Sequence, residues 1–203
     1  MYIIGKEEVD AVQRVIESKQ LFRYRGGEGG ESDSFEREWR EKIGAEYAIA
    51  LTSGTAALIC GLVGMGIGPG DEVIVPGYTY MATPLAPLAV GAVPIIAEVD
   101  ASLTIDPKDI ERKITPRTKA IIPVHMVGLP SNMDAIMDIA RRHDLKVLED
   151  ACQADGGSYG GKRLGAIGDA GAFSFNHFKI MTCGEGGALV TDDREIYERA
   201  LIF

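Results

Sequence analysis

Runs of Lys and Arg are missing from this chain of 203 residues, which carries 21 basic against 30 acidic side chains, a formal charge of −9 and a pI near 4.9. Nucleic-acid binders display a clustered basic face, so that class is excluded. Cysteine is scarce. Cys60, Cys152 and Cys183 lie far apart and are odd in number, which argues against a disulfide framework and against a metal site. Reduced thiols in the cytoplasm are the simplest reading. The first residues lack the basic start, apolar core and small-residue cleavage site of a signal peptide. No apolar run approaches the length of a membrane span. The Walker A, HExxH and GxSxG patterns are absent. The cluster Gly64, Gly66, Gly68 and Gly70 lacks the GxGxxG spacing and follows a helical stretch, whereas a dinucleotide fingerprint follows a strand; it reads as a helix C-cap and turn.

What is present suffices for one core, since 46% of the residues are hydrophobic. Residues 6–18 read as an amphipathic helix with Val9, Val12, Val15 and Ile16 on one side. The stretch 23–34, rich in Gly, Ser and charge, reads as a loop, and 34–43 as a second helix. Short apolar runs follow at 47–51, 72–75, 93–97, 119–124, 146–148 and 187–191, with helical stretches at 55–66, 79–90, 107–113 and 131–143. This alternation predicts an α/β fold: a mostly parallel sheet flanked by helices, with ligands at the carboxyl ends of the strands. The final stretch, DDREIYERALIF, is a helical pattern that stops without a C-cap or polar tail, and it is read as the end of the first part of a longer protein.

The residues just after the strands carry the chemistry. Thr52-Ser53-Gly54-Thr55 follows the first strand and opens an apolar helix, presenting backbone N–H groups and the positive end of the helix dipole to an anion such as phosphate. Taken alone, a plain N-cap is the better reading of that turn. Asp150 ends a strand, and an acid there suits a protonated ring nitrogen, a helix cap, or a metal or ribose hydroxyl. Gln153 faces the same site if a helix starts there. Lys179 lies in the locally apolar run Ala172–Lys179, where burial makes a better amine nucleophile toward an aldehyde; the alternative is a surface loop lysine. His177 is given no role.

The order and spacing of six segments say more than any one of them. TSGTAAL (52–58), GDEVIVPGYTYMATPLA (70–86), GAVPI (91–95), TPRTKAIIPVHMVG (115–128), the run LEDACQADGGSYGGKRLGAIGDAGAFSFNHFK (148–179) and GEGGALVTDD (184–193) together closely resemble the DegT/DnrJ/EryC1/StrS family of sugar aminotransferases, from about residue 6 to 203. The resemblance implies the large domain of an aspartate-aminotransferase-like fold (fold type I), in residues 34–203, preceded by a helix and loop in 1–33 and lacking the C-terminal small domain. It implies pyridoxal phosphate as cofactor and no metal. By the same resemblance, Lys179 matches the Schiff-base lysine and Asp150 the partner of the pyridinium nitrogen. Gln153 matches the glutamine beside the 3-hydroxyl, and Tyr80 the aromatic residue stacked on the ring. Gly54 and Thr55 match the phosphate-binding turn, with Ser174 on the same phosphate.

The implied reaction is amino transfer from glutamate or glutamine to a keto sugar, for cell-surface polysaccharide or an antibiotic, in a cytoplasmic protein that is a homodimer at full length, without nucleic acid or membrane as partner. Family dehydratases have histidine at the position of Lys179. Many members acting on nucleotide-linked sugars have Asn after the lysine; the segment Ile180–Glu185 here is similar to branches acting on keto-inositols or other non-nucleotide keto sugars. A non-catalytic regulatory homologue is disfavoured because Lys179, Asp150 and Gln153 are all kept, although a chain of this length is read as weakly active or inactive by itself. A generic nucleotide-binding protein predicts a glycine fingerprint after the first strand, which is absent.

Overall fold

The computed structural model describes residues 3–23 and 29–203. Residues 24–28 of the expected loop lie outside the described residues. Helix α1 (Lys6–Ser18) forms as its periodicity predicts and buries none of its residues within this chain. Helix α2 (Glu31–Ile43) starts earlier than expected, just after its N-cap Gly30, whose N–H donates to Asp33 Oδ2 at 3.2 Å. The expected division between 33 and 34 therefore falls inside a helix. Glu31 and Asp33 read as loop by composition, yet acidic side chains suit the first turn because they face the positive end of the helix dipole.

From there the chain runs through β1 (Tyr47–Leu51), α3 (Gly54–Gly64), β2 (Glu72–Pro76), α4 (Ala82–Ala89), β3 (Val93–Ala97), α5 (Pro107–Lys113), β4 (Thr118–Ile121), α6 (Met133–His143) and β5 (Lys146–Asp150). A small antiparallel hairpin, β6 (Ser158–Tyr159) and β7 (Lys162–Arg163), precedes β8 (Ala170–Ser174), β9 (Gly187–Thr191) and α7 (Arg194–Ile202). The main sheet has the order β1-β9-β8-β5-β4-β2-β3. Only β9 runs against its neighbours, pairing antiparallel with both β1 and β8. The remaining pairings are parallel, so the sheet is mostly parallel as expected.

Helices cover both faces, and the strands are accordingly apolar on both sides. Val73, Val75, Ala120, Ile122 and Leu148 pack with Leu58 and Leu62 of α3, Ala86 of α4 and Ile196 of α7. Their sequence neighbours Ile74, Ile121 and Val147 turn to the other face, against Ile110 of α5 and Met133, Ile136 and Ile139 of α6. Successive side chains of a strand point to opposite faces, which is why each strand feeds two cores. A third cluster sets Trp39 and Ile43 of α2 on Phe173 and Val190, with Trp39 edge-on to Phe173 at 5.1 Å between ring centres.

Two polar devices hold the fold around the site. Edge strand β1 exposes both backbone groups of Ala50. Glu36 Oε1 accepts the N–H at 2.6 Å, and Arg23 Nη1 donates to the carbonyl at 2.8 Å while pairing with Glu36, so the open edge is capped. Deeper, the fully buried Glu149 accepts from the N–H groups of Gly165 (2.9 Å), Ile167 (2.6 Å) and Gly168 (2.7 Å), and lies 2.9 Å from His125 Nε2. Ser131 N–H donates to His125 Nδ1 at 3.2 Å. With Nδ1 accepting, Nε2 is the ring nitrogen that donates to Glu149. Glu149 thus ties two loops to the last turn of β5, one residue from Asp150.

Candidate active site

The carboxyl ends of β1, β5 and β8 lie at one edge of the sheet, where the reversed strand β9 begins. A cavity of about 560 Å³ opens there. All seven residues expected from the sequence line it: Gly54, Thr55, Tyr80, Asp150, Gln153, Ser174 and Lys179.

The first turn of α3 forms one wall. Ser53 is its N-cap, with Oγ accepting from Ala56 N–H at 3.0 Å. The turn sits tight against the sheet: a Cβ on Gly54 would lie 2.7 Å from both Cys152 Sγ and Ser174 Cβ, and one on Gly187 would lie 2.3 Å from the Ser53 carbonyl oxygen. Contacts under 3.0 Å are closer than real Cβ atoms come, so both positions need glycine for the α3 N-terminus to reach Ser174. The cap reading and the anion-site reading of this turn are therefore compatible.

Asp150 also lines the cavity. It is 5% exposed at the end of β5. Oδ2 accepts from the fully buried Thr83 Oγ1 at 2.8 Å, and Oδ1 accepts from Cys152 N–H at 3.1 Å. Thr83 spends its one proton on Asp150, so Thr79, 2.7 Å away, donates to Thr83. No helix begins after Asp150, contrary to one reading of that run: residues 152–156 form turns. Gln153 reaches the cavity by another route. Val127 N–H donates to its Oε1 at 3.2 Å, from the short 3-10 turn Met126–Gly128.

Lys179 is half-buried in the segment between β8 and β9. Two titratable neighbours feel it. Burial, then the Asp150 charge, push the Cys152 thiol well above its usual value, and Lys179 pulls the other way. Burial raises the Asp155 carboxyl to about 6, against the opposing pull of Met181 N–H and Lys179. Both Asp155 oxygens are buried without a hydrogen bond of good geometry, although Met181 N–H is near enough to act on the charge. Tyr80 stands at the rim, 69% exposed.

Sequence reasoning missed Thr83, Asn176 and Glu185. Asn176 and Glu185 line the cavity, and Thr83 touches it only through Asp150. A threonine in the first turn of a helix carries no signal of its own; its role appears only once α4 and β5 are neighbours. All three cysteines are free. Among the described residues no His, Cys, Asp or Glu cluster suits a metal, and no helix is long and apolar enough to cross a membrane.

Comparison with known proteins gives the family of the chain. The model of the DegT/DnrJ/EryC1/StrS aminotransferase family matches residues 2–203. The chain is 44% identical over 198 residues to the spore coat polysaccharide biosynthesis protein SpsC of Bacillus subtilis, covering 97% of this chain and 50% of that protein. It is 44% identical over 173 residues to the L-glutamine:scyllo-inosose aminotransferase of Streptomyces griseus, covering 83% of this chain and 41% of the other. Among solved structures, NtdA of Bacillus subtilis with bound cofactor PMP superposes with a TM-score of 0.86 at 38% identity, covering 98% of this chain and 45% of that one. The chain spans about half the length of the curated relatives it matches.

Proposed function

We propose that this chain, which belongs to the DegT/DnrJ/EryC1/StrS aminotransferase family, forms the pyridoxal-phosphate-binding part of an enzyme that moves an amino group from glutamate or glutamine to a keto sugar. The observation that carries the proposal is the convergence on one cavity of an amine, a buried carboxylate and a helix N-terminus. These match the aldehyde, ring nitrogen and phosphate of the cofactor in chemical kind. The glycine-tight approach of α3 to Ser174 fits a phosphate group, which needs backbone N–H donors at close range.

Pyridoxal phosphate, when bound, supplies an electron sink for negative charge at the carbon that bears the amine. The rest falls to the chain. Gly54, Thr55 and Ser174 hold the phosphate. Asp150 keeps the proton on the ring nitrogen, and Thr83 with Cys152 N–H fixes the carboxylate in the orientation that does so. Gln153, steadied by Val127, would hold the 3-hydroxyl, and Tyr80 would cover the ring. The Lys179 amine would hold the group at its aldehyde and would be the base placed to hold or move a proton at the amine-bearing carbon.

The acceptor is a nucleotide-linked keto sugar, a keto-inositol or a related compound, and the pathway is amino-sugar formation for a surface polysaccharide or an antibiotic. We place the protein in the cytoplasm and the full-length form in a homodimer, with residues from the start of α2 onward as the cofactor-binding domain. Titration with pyridoxal phosphate tests the site. A saturable visible absorbance band that Lys179→Ala abolishes supports it, and a band of equal size in the variant contradicts it.

A further inference from the structure

Lys179 lies in the excursion 175–186, which leaves β8 and returns to β9. Apolar burial holds its first residue, Phe175, but little of the turn beyond it: Phe178 and Ile180 are largely exposed. Hydrogen bonds do the holding, and they meet at Asn176. Its carbonyl accepts from Lys179 N–H at 2.9 Å, its Oδ1 accepts from Phe178 N–H at 3.1 Å, and its Nδ2 donates to Glu185 Oε1 at 2.7 Å. At the base, Phe175 O accepts from Cys183 N–H at 3.0 Å. The first two bonds shape the turn that presents Lys179. The third ties that turn across the loop to Glu185, two residues before β9, and both partners face the cavity.

We propose that the Asn176–Glu185 hydrogen bond is a clamp that sets the turn bearing Lys179, making both residues positioning residues for its amine. The proposal rests on Lys179 as the cofactor-bonding amine. A turn with few buried apolar contacts opens locally at little cost, so removing a side-chain bond that closes it loosens the lysine backbone. The bond needs a donor at 176 and an acceptor at 185. Its polarity is therefore reversible: an acceptor at 176 with a donor at 185 closes the same gap.

That reversal is the test, read in two ways on the purified chain. The first is hydrogen exchange of the Phe178 and Lys179 amides without cofactor. The second is the rate at which pyridoxal phosphate becomes borohydride-fixed at Lys179. Asn176→Asp keeps the acceptor for Phe178 N–H, removes the donor to Glu185 and sets a second carboxylate against it. It is expected to speed exchange and slow labelling by at least about tenfold each, the size of one hydrogen bond to a charged group. Glu185→Gln retains an acceptor and is expected to stay within about twofold of the parent. The double substitution Asn176→Asp/Glu185→Gln, which reverses the bond, is expected to recover most of the loss. Unchanged exchange in Asn176→Asp, or a double variant as impaired as Asn176→Asp alone, overturns the clamp. Exchange needs no cofactor, so it judges the clamp even if label in the parent chain misses Lys179, an outcome that falls on the proposed function instead.

Discussion

Thr83 Oγ1 donates to Asp150 Oδ2 across 2.8 Å, joining the first turn of α4 to the end of β5 at the floor of the cavity. The bond aligns a carboxylate that Cys152 N–H also holds. Thr83→Val keeps the shape and deletes the hydroxyl, leaving Asp150 Oδ2 without its donor and the Thr79 hydroxyl without its acceptor. The expected result is a loss of about 1–2 kcal/mol of stability and about tenfold weaker pyridoxal phosphate binding, by thermal melting and absorbance titration. Unchanged binding would remove Thr83 from the site.

The contact between Gly187 and the Ser53 carbonyl makes β9 a support for the phosphate wall. Gly187→Ala places a methyl where only 2.3 Å is available to backbone oxygen. Something must shift, and α3 is the element whose first turn moves. Expected are a loss of roughly 2–3 kcal/mol and weaker competition by inorganic phosphate against the cofactor. A stable variant with undiminished phosphate competition would show that the close approach is incidental.

Glu149 carries the loops beside Asp150. Glu149→Gln turns one of its two acceptor oxygens into a donor that faces N–H groups, stranding at least one buried donor. The expected cost is about 2–4 kcal/mol. It is read as a lower denaturant midpoint at unchanged slope. An unchanged midpoint contradicts the four-donor arrangement.

Asp155 gives a pH signature. Its carboxyl is raised from 3.8 to about 6 in the folded chain, so the folded state holds this proton more tightly than the unfolded one. Stability from this group is therefore fully present below the unfolded value and is lost as pH rises through about 6. Asp155→Asn has no charge to bury. Relative to the parent it is expected to gain about 1–2 kcal/mol between pH of about 3.5 and about 7.5, after discounting for solvent screening. A difference that is flat with pH means the charge is solvated.

The legible parts of this molecule are those with local signals. The apolar runs at 47–51, 93–97 and 187–191 are strands with the expected bounds, because each is a short apolar run set off by polar and turn residues on both sides. β8 carries no strand signal in the sequence. Its sequence, AGAFS, is small and weakly β-forming, and it is a strand because it lies buried between β5 and β9. The hairpin β6–β7 is too short to show periodicity. At the site, the seven residues expected from the motif series meet in one cavity. Those that hold them in place, Thr83 under Asp150 and Val127 on Gln153, are set by contacts between distant segments and leave no pattern in the chain.

The central claim is that Lys179 is the amine that takes the cofactor. It is tested most directly by incubating the chain with pyridoxal phosphate, reducing with borohydride and mapping the modified peptide by mass spectrometry, with Lys179→Ala alongside. The account predicts label confined to the peptide holding Lys179 and absent from the variant. Label spread over surface lysines, and unchanged in the variant, would contradict it.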